Sequence, residues 1–200
     1  MLFNPIDRHL YIFAGQRAKD YLSDFFIYEI DNDRVIELTR DSSKQGGPDA
    51  GFTQRATIDL ELGEFYVLAG LMREKHSAHE TVKNTFWSFE IAKGKWRRIY
   101  KNETQSQEGE SEQRSLLSLG PDGQPVEREP CPRFAHQLVY DHVRKKQYLF
   151  GGNPGEAGSP GKRLDDFWEL SLIRSFSSFF YLVICNGLKG KHIGRMPSPF

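Results

Sequence analysis

The stretch with the plainest chemical potential is His76-Ser77-Ala78-His79-Glu80. On a helix, His76 and His79 would share a face and, with Glu80, could hold a metal ion. No further ligand clusters nearby, and the His-Glu-x-x-His spacing of zinc proteases is absent. Exposed loop histidines are the favoured reading. A second stretch, Gly151-Gly152-Asn153-Pro154-Gly155-Glu156-Ala157-Gly158, leads to Gly161-Lys162. It fails as a phosphate-binding loop: the preceding glycine is one residue too distant, and Arg163 stands where Ser or Thr is needed. Cys131 lies between Pro130 and Pro132 with no adjacent base, which argues against a nucleophile. Asp165 and Asp166 are expected to anchor a turn. Arg133 and His136 are expected to be structural. No catalytic residue, cofactor or metal site is expected.

Composition narrows the class. The 27 basic and 27 acidic residues balance over 200 positions, so no global field favours nucleic acid. The balance is local in origin: residues 101–130 carry a net −4 and residues 173–200 a net +4. Two cysteines, Cys131 and Cys185, are too few for a disulfide framework and fit a reducing compartment. The start of the chain has no secretory pattern, and the longest apolar run, Phe179–Cys185, cannot span a bilayer as a helix. A cytoplasmic protein is expected, with the nucleus as a second compartment and no membrane insertion.

The elements that must position these residues come from an internal repeat. Gln147-Tyr148-Leu149-Phe150-Gly151-Gly152 is an apolar run closed by glycine, followed by Asp165-Asp166-Phe167-Trp168-Glu169-Leu170. Leu10–Gly15 precedes Ser23-Asp24-Phe25-Phe26 in the same way, and Phe65–Gly70 precedes Asn84-Thr85-Phe86-Trp87. Gly15 and Gly70 lie 55 residues apart. Gly70 and Gly152 lie 82 apart, which falls to 52 once the acidic stretch 101–130 is set aside as an insertion. A period near 50 with these two strands per unit is the signature of a kelch β-propeller blade. The fold expected is all-β: a partial propeller of about three four-stranded antiparallel blades, its ring not closed. The repeats cover about 1–50, 51–100 and 131–172, and 173–200 is a divergent basic tail.

Within each unit, strand one should end at an aspartate, read as Asp7, Asp59 and Asp141, with a tighter hairpin after Asp7. Strand two is the apolar run. Strand three carries the aromatic pairs, of which Trp87 in the middle blade should be a buried interior contact that matters more to folding than Trp168, which should lie near an open edge. The third unit has no ordinary fourth strand; Phe179–Cys185 could substitute, ending at an Asn186-Gly187 turn. Three blades fall short of the four to eight that close a ring. The chain is therefore expected to be a fragment or shortened form whose open edges favour self-association.

The run Cys131–Asp141, with Gln147–Gly152, Leu164–Leu172, Gln16–Asp24 and Asn84–Ile91, resembles the kelch repeats of the muskelin family. That resemblance implies an intracellular, non-enzymatic adaptor of the CTLH E3 ubiquitin ligase complex, linked also to cell spreading and trafficking. It implies protein partners and no catalytic residue. The segments after strands two and four read as long loops emerging on one face, and long polar loops on a rigid scaffold are where recognition concentrates. Arg17, Lys19, Arg73, Lys75, His76, His79, Lys162 and Arg163 on that face are the candidate partner-binding residues. Two alternatives stand beside this reading: a metal-dependent oxidase of the kelch type, and a truncated product without function.

Overall fold

A computed structural model describes residues 1–68, 70–73, 80–82, 84–102, 130–154, 163–174 and 181–187. It is all-β, built of antiparallel sheets, none closed into a barrel. Unit 1 is a meander of β1 (Leu2–Asn4), β2 (His9–Arg17), β3 (Asp20–Glu29) and β4 (Arg34–Thr39). A two-residue bridging strand, β5 (Gly51–Phe52), leads into unit 2. Unit 2 consists of β6 (Arg55–Asp59), β7 (Glu64–Leu68), β10 (Asn84–Glu90) and β11 (Lys95–Asn102), with a ribbon of β8 (Leu71–Arg73) and β9 (Glu80–Val82) between them. A second bridging strand, β12 (Arg133–Phe134), opens unit 3. Its strands are β13 (Gln137–Asp141), β14 (Lys146–Pro154), β15 (Leu164–Arg174) and β16 (Tyr181–Gly187). The fourth strand of unit 3 is thus Tyr181–Gly187, and Asn186-Gly187 lies within it, paired to Glu169 and Trp168, not in a turn.

Side-chain alternation explains how the units stack. Along a strand, successive side chains point to opposite faces. All five residues of β7 are buried, because unit 2 has a neighbour on each side. Phe65 and Val67 join Tyr11, Phe25 and Ile27 of unit 1, together with Ile58, Phe89 and Trp96, in one core. Tyr66, Leu68 and Phe86 join Leu138, Leu149, Trp168 and Leu170 of unit 3 in the other. A continuous apolar run is what two-sided burial requires. Fully burying a side chain of this size contributes about 1.5–3 kcal/mol, so two such cores supply most of the drive for stacking.

The aromatic pairs follow the same rule, and this corrects two expectations. The first residue of each pair faces the next unit, the second the preceding one. Phe86 is therefore buried against unit 3, while Trp87 is only half-buried against unit 1. Trp168 turns inward onto unit 2 and is almost fully buried, so it does not lie at the open edge; Phe167 does.

The hairpin register also differs from expectation. The equivalents of Asp59 and Asp141 end at Asn4, not Asp7. Asn4, Asp59 and Asp141 pair with His9, Glu64 and Lys146, the first residues of strand two. Each accepts two backbone N–H bonds through its side-chain Oδ1: from Ile6 and Asp7, from Glu61 and Leu62, and from Val143 and Arg144. The fourth residue after each takes a left-handed conformation, at φ 54° for Arg8, 61° for Gly63 and 56° for Lys145. Asn caps a turn as Asp does. With Asn4 as reference, the closing glycine lies eleven residues on in all three units, and no hairpin is tighter.

Candidate interaction face

At the end opposite these hairpins, the chain is more ordered than a set of loops. Gln16–Leu22 is not a loop: β2 and β3 continue as a hairpin to Arg17 and Asp20, turning at Ala18 and Lys19, with Ala18 at φ 54°. The Gln16 side chain donates to the Ala18 carbonyl at 3.0 Å and closes the tip. Leu22 of this hairpin pairs with Gly51 of β5, β5 pairs with β8, and β8 with β9. A hydrogen-bonded ribbon therefore crosses from unit 1 to unit 2. On it, Tyr21 and the partly exposed Phe52 sit with ring centroids 6.0 Å apart.

Gly70 and Gly152 make room for the bridging strands. A Cβ on Gly152 would come within 2.8 Å of the Phe134 carbonyl oxygen and 3.0 Å of the His136 Cβ; one on Gly70 would reach 2.9 Å from the Phe52 carbonyl oxygen. Close backbone approach, not a nucleotide phosphate, accounts for the double glycine at 151–152.

Arg133 and Asp166 are the polar centre of unit 3. Arg133 is fully buried and donates both terminal nitrogens to Asp166, at 2.6 and 2.7 Å. It also donates to the carbonyls of Gly151 and Cys131, each at 3.1 Å. The Trp168 indole donates to Asp166 at 2.6 Å. Burial opposes the Asp166 charge, yet Arg133 and then Trp168 hold its carboxyl below the ordinary range. A bidentate, fully bonded pair of this kind fixes geometry. Asp166 thus does more than the turn expected of it. The signal was present in sequence as Pro-Arg-x-x-His, but the partner 33 residues away was not legible.

His136 is fully buried, with both ring nitrogens lacking a protein partner. Burial, then Arg55 and Arg133, lowers its pKa to about 3, so it is neutral at physiological pH. In unit 2 its place is taken by Gln54, preceded by Thr53 at φ 62° as Ala135 precedes His136 at φ 53°. Among the described residues, no three His, Cys, Asp or Glu side chains gather in a way that could hold a metal ion.

Of the candidate binding residues, Arg17 and Lys19 are exposed at the tip of the β2–β3 hairpin, and Arg163 is exposed just before β15. Arg73 ends β8. Lys75, His76, His79 and Lys162 lie outside the described residues, as do the acidic stretch 103–129 and the tail 188–200. Phe52 and Tyr21 were missed in sequence because the bridging strand that aligns them is two residues long. Among the described residues, no helix is long and apolar enough to cross a membrane.

Comparison with known proteins revises one reading. No protein-family model matches the chain. It is similar to Mei4-dependent protein 6 of Schizosaccharomyces pombe, with 24% identity over 174 residues. The match covers 86% of this chain and 22% of that protein, so the chain spans about a fifth of the relative's length. The resemblance to muskelin is not upheld, since the likeness found is to a protein of another name. Within Pro132–Asp141, Arg133, His136 and Leu138 are buried and serve the packing of unit 3.

Proposed function

We propose that the chain is a non-enzymatic protein-interaction module, built from blades of a kelch-type β-propeller, that binds protein partners through the end bearing the β2–β3 hairpin and the β5–β8–β9 ribbon. The observation that carries this reading is the position of Arg17 and Phe52 on hydrogen-bonded strands, with Lys19 in the turn between β2 and β3, at one end of the stacked sheets. Cationic and aromatic groups on a rigid support favour protein recognition, because little ordering entropy is lost on binding. The Arg133–Asp166 pair braces unit 3, and the Thr57–Gln147 bond joins units 2 and 3. Ligase-complex membership rested on the muskelin likeness and has no independent support in the fold.

The test is cross-linking mass spectrometry in cells with two variants. Arg17→Glu with Lys19→Glu should lose the partners of the wild type. Arg144→Glu, at the opposite end, should keep them. Retention of every partner by the first variant, or equal loss with both, would overturn the assignment of the binding end.

A further inference from the structure

Among the described residues, the outer strand of every unit is an edge: β4 pairs only with β3, β11 only with β10, and β16 only with β15. An edge strand presents a row of backbone N–H and C=O groups that another strand can pair with, and proteins blunt such edges with charge, bulges or proline. Two of these edges are blunted twice over. β4 carries Arg34 and Glu37, and β11 carries Lys95, Arg97, Arg98 and Lys101. Each also holds one extra residue against its neighbour: Leu38 lies between the pairs Phe25–Thr39 and Phe26–Glu37, and Ile99 between the pairs Phe86–Tyr100 and Trp87–Arg98. A bulge of this kind bends the outer strand and increases its twist.

The third edge has none of these devices. Tyr181-Leu182-Val183-Ile184-Cys185-Asn186-Gly187 contains no charged residue and no proline. Its seven residues pair with Trp168–Arg174 in one unbroken register, with no bulge. Tyr, Val and Ile are strong strand formers, and an uncharged, proline-free run of this length on an open edge is a template for further pairing. The three units share one strand plan, so the contrast lies in the residues and the register of the outer strand.

We propose that β16 pairs antiparallel with β16 of a second copy, about a twofold axis at Ile184, and so joins two unit 3 sheets edge to edge. The strand itself specifies a second copy as the occupant. In this register all of Tyr181–Gly187 is paired: Tyr181 falls opposite Gly187 of the second copy, Leu182 opposite Asn186, Val183 opposite Cys185, and Ile184 opposite its own equivalent. No charges meet anywhere along it. The same self-pairing of β11 would bring together two strands each bearing Lys95, Arg97, Arg98 and Lys101, and like charges across a ladder destabilise it. Tyr181 opposite Gly187 sets an aromatic residue beside glycine at both ends of the pairing, which offsets the weak strand propensity of glycine. The same strand serves on both sides, so the contact is isologous and closes at a dimer.

Sedimentation velocity on the full chain from 1 to 100 μM, roughly the range where contacts of this size associate, tests this. A dimer is expected. Ile184→Lys and Ile184→Glu each set like charges opposite each other at the twofold axis, so each should weaken the dimer at least about fivefold. An equimolar mixture of the two sets Lys opposite Glu and should associate about tenfold more tightly than either variant alone. Position 184 pairs with Ser171, whose neighbour Leu170 packs on unit 2, so alternation places it on the face turned away from that interface. Val35→Lys on β4 should leave the association unchanged. Hydrogen exchange on the wild type needs no variant: the amides of Tyr181–Gly187 should gain protection from roughly 1 to 100 μM, and those of Arg34–Thr39 and Lys95–Asn102 should not. A folded wild type that is monomeric at the highest concentration, an open-ended ladder of larger species, a mixture no tighter than its components, or β16 protection that does not change with concentration would each overturn the proposal.

Discussion

The interface between units 1 and 2 and the interface between units 2 and 3 share one backbone register and differ in chemistry. The first is a cluster of rings: Phe25 lies with its centroid 4.9 Å from Phe65, 5.1 Å from Phe89 and 5.9 Å from Trp96. The second mixes apolar packing with buried polar groups. Tyr140 donates its hydroxyl to Asp59 at 2.5 Å, Lys145 reaches the same carboxylate, and Thr57 bonds Gln147. Burial opposes the charge of Asp59, but Tyr140, the Leu62 and Glu61 amides and Lys145 together hold its carboxyl below the usual value. Burial, and then Asp59, pushes the Tyr140 hydroxyl up. The ring cluster supplies stabilisation with little geometric demand. The polar interface demands one register, because a slip would leave buried groups unpaired. The repeat sets where residues meet, while the residue types set how strictly they must meet.

Substitutions can break this contrast. Phe25→Ala should have the largest effect, destabilising by about 3–5 kcal/mol in urea unfolding, since it empties the centre of the ring cluster. Gln147→Leu should cost about 1–3 kcal/mol by leaving Thr57 without its acceptor, whereas Gln147→Leu with Thr57→Val should be nearly neutral. An additive loss in that pair would show that the polar contact does not form.

Acid sharpens the same contrast at the edge of unit 3. His136 titrates near 6.5 when unfolded and near 3 when folded. Between those values the unfolded chain binds the extra proton. Stability is therefore full above about pH 6.5 and falls as pH drops toward 3, by no more than about 1.4 kcal/mol per pH unit for one proton. His136→Gln, the residue that unit 2 uses, should flatten this dependence in denaturant melts from pH 7 to pH 4. Lys145→Met should have the smallest effect, leaving the urea midpoint close to that of the wild type, because Lys145 and Glu61 are solvent-accessible. Raising salt should change the wild type more than this variant.

Much of the fold was legible because the repeat advertises itself. Apolar runs ending in glycine mark strand two, and the aromatic pairs mark strand three. What the sequence hid follows from distance and from turn chemistry. Asn4 and Asp7 both look like turn residues, and only the pairing of Asn4 with His9 decides between them. Alternation says that Trp87 and Phe86 face opposite ways, but which way is more buried depends on neighbours far along the chain. The extended β2–β3 hairpin was hidden by the polar composition of Gln16–Asp20, which reads as loop even though its backbone pairs. Of the candidate face, the exposure of Arg17, Lys19 and Arg163 follows from their charge, while Phe52 and Tyr21 meet only through strand β5.

Units 2 and 3 stack so that residues 81 positions apart, Asp59 and Tyr140, share a part-buried hydrogen bond. A double-mutant cycle in urea unfolding with Asp59→Asn and Tyr140→Phe tests it most directly, since Asn preserves the turn at 59 and Phe preserves the ring at 140. The stacking predicts a coupling energy of at least about 1 kcal/mol. Effects that add to within about 0.3 kcal/mol would contradict it.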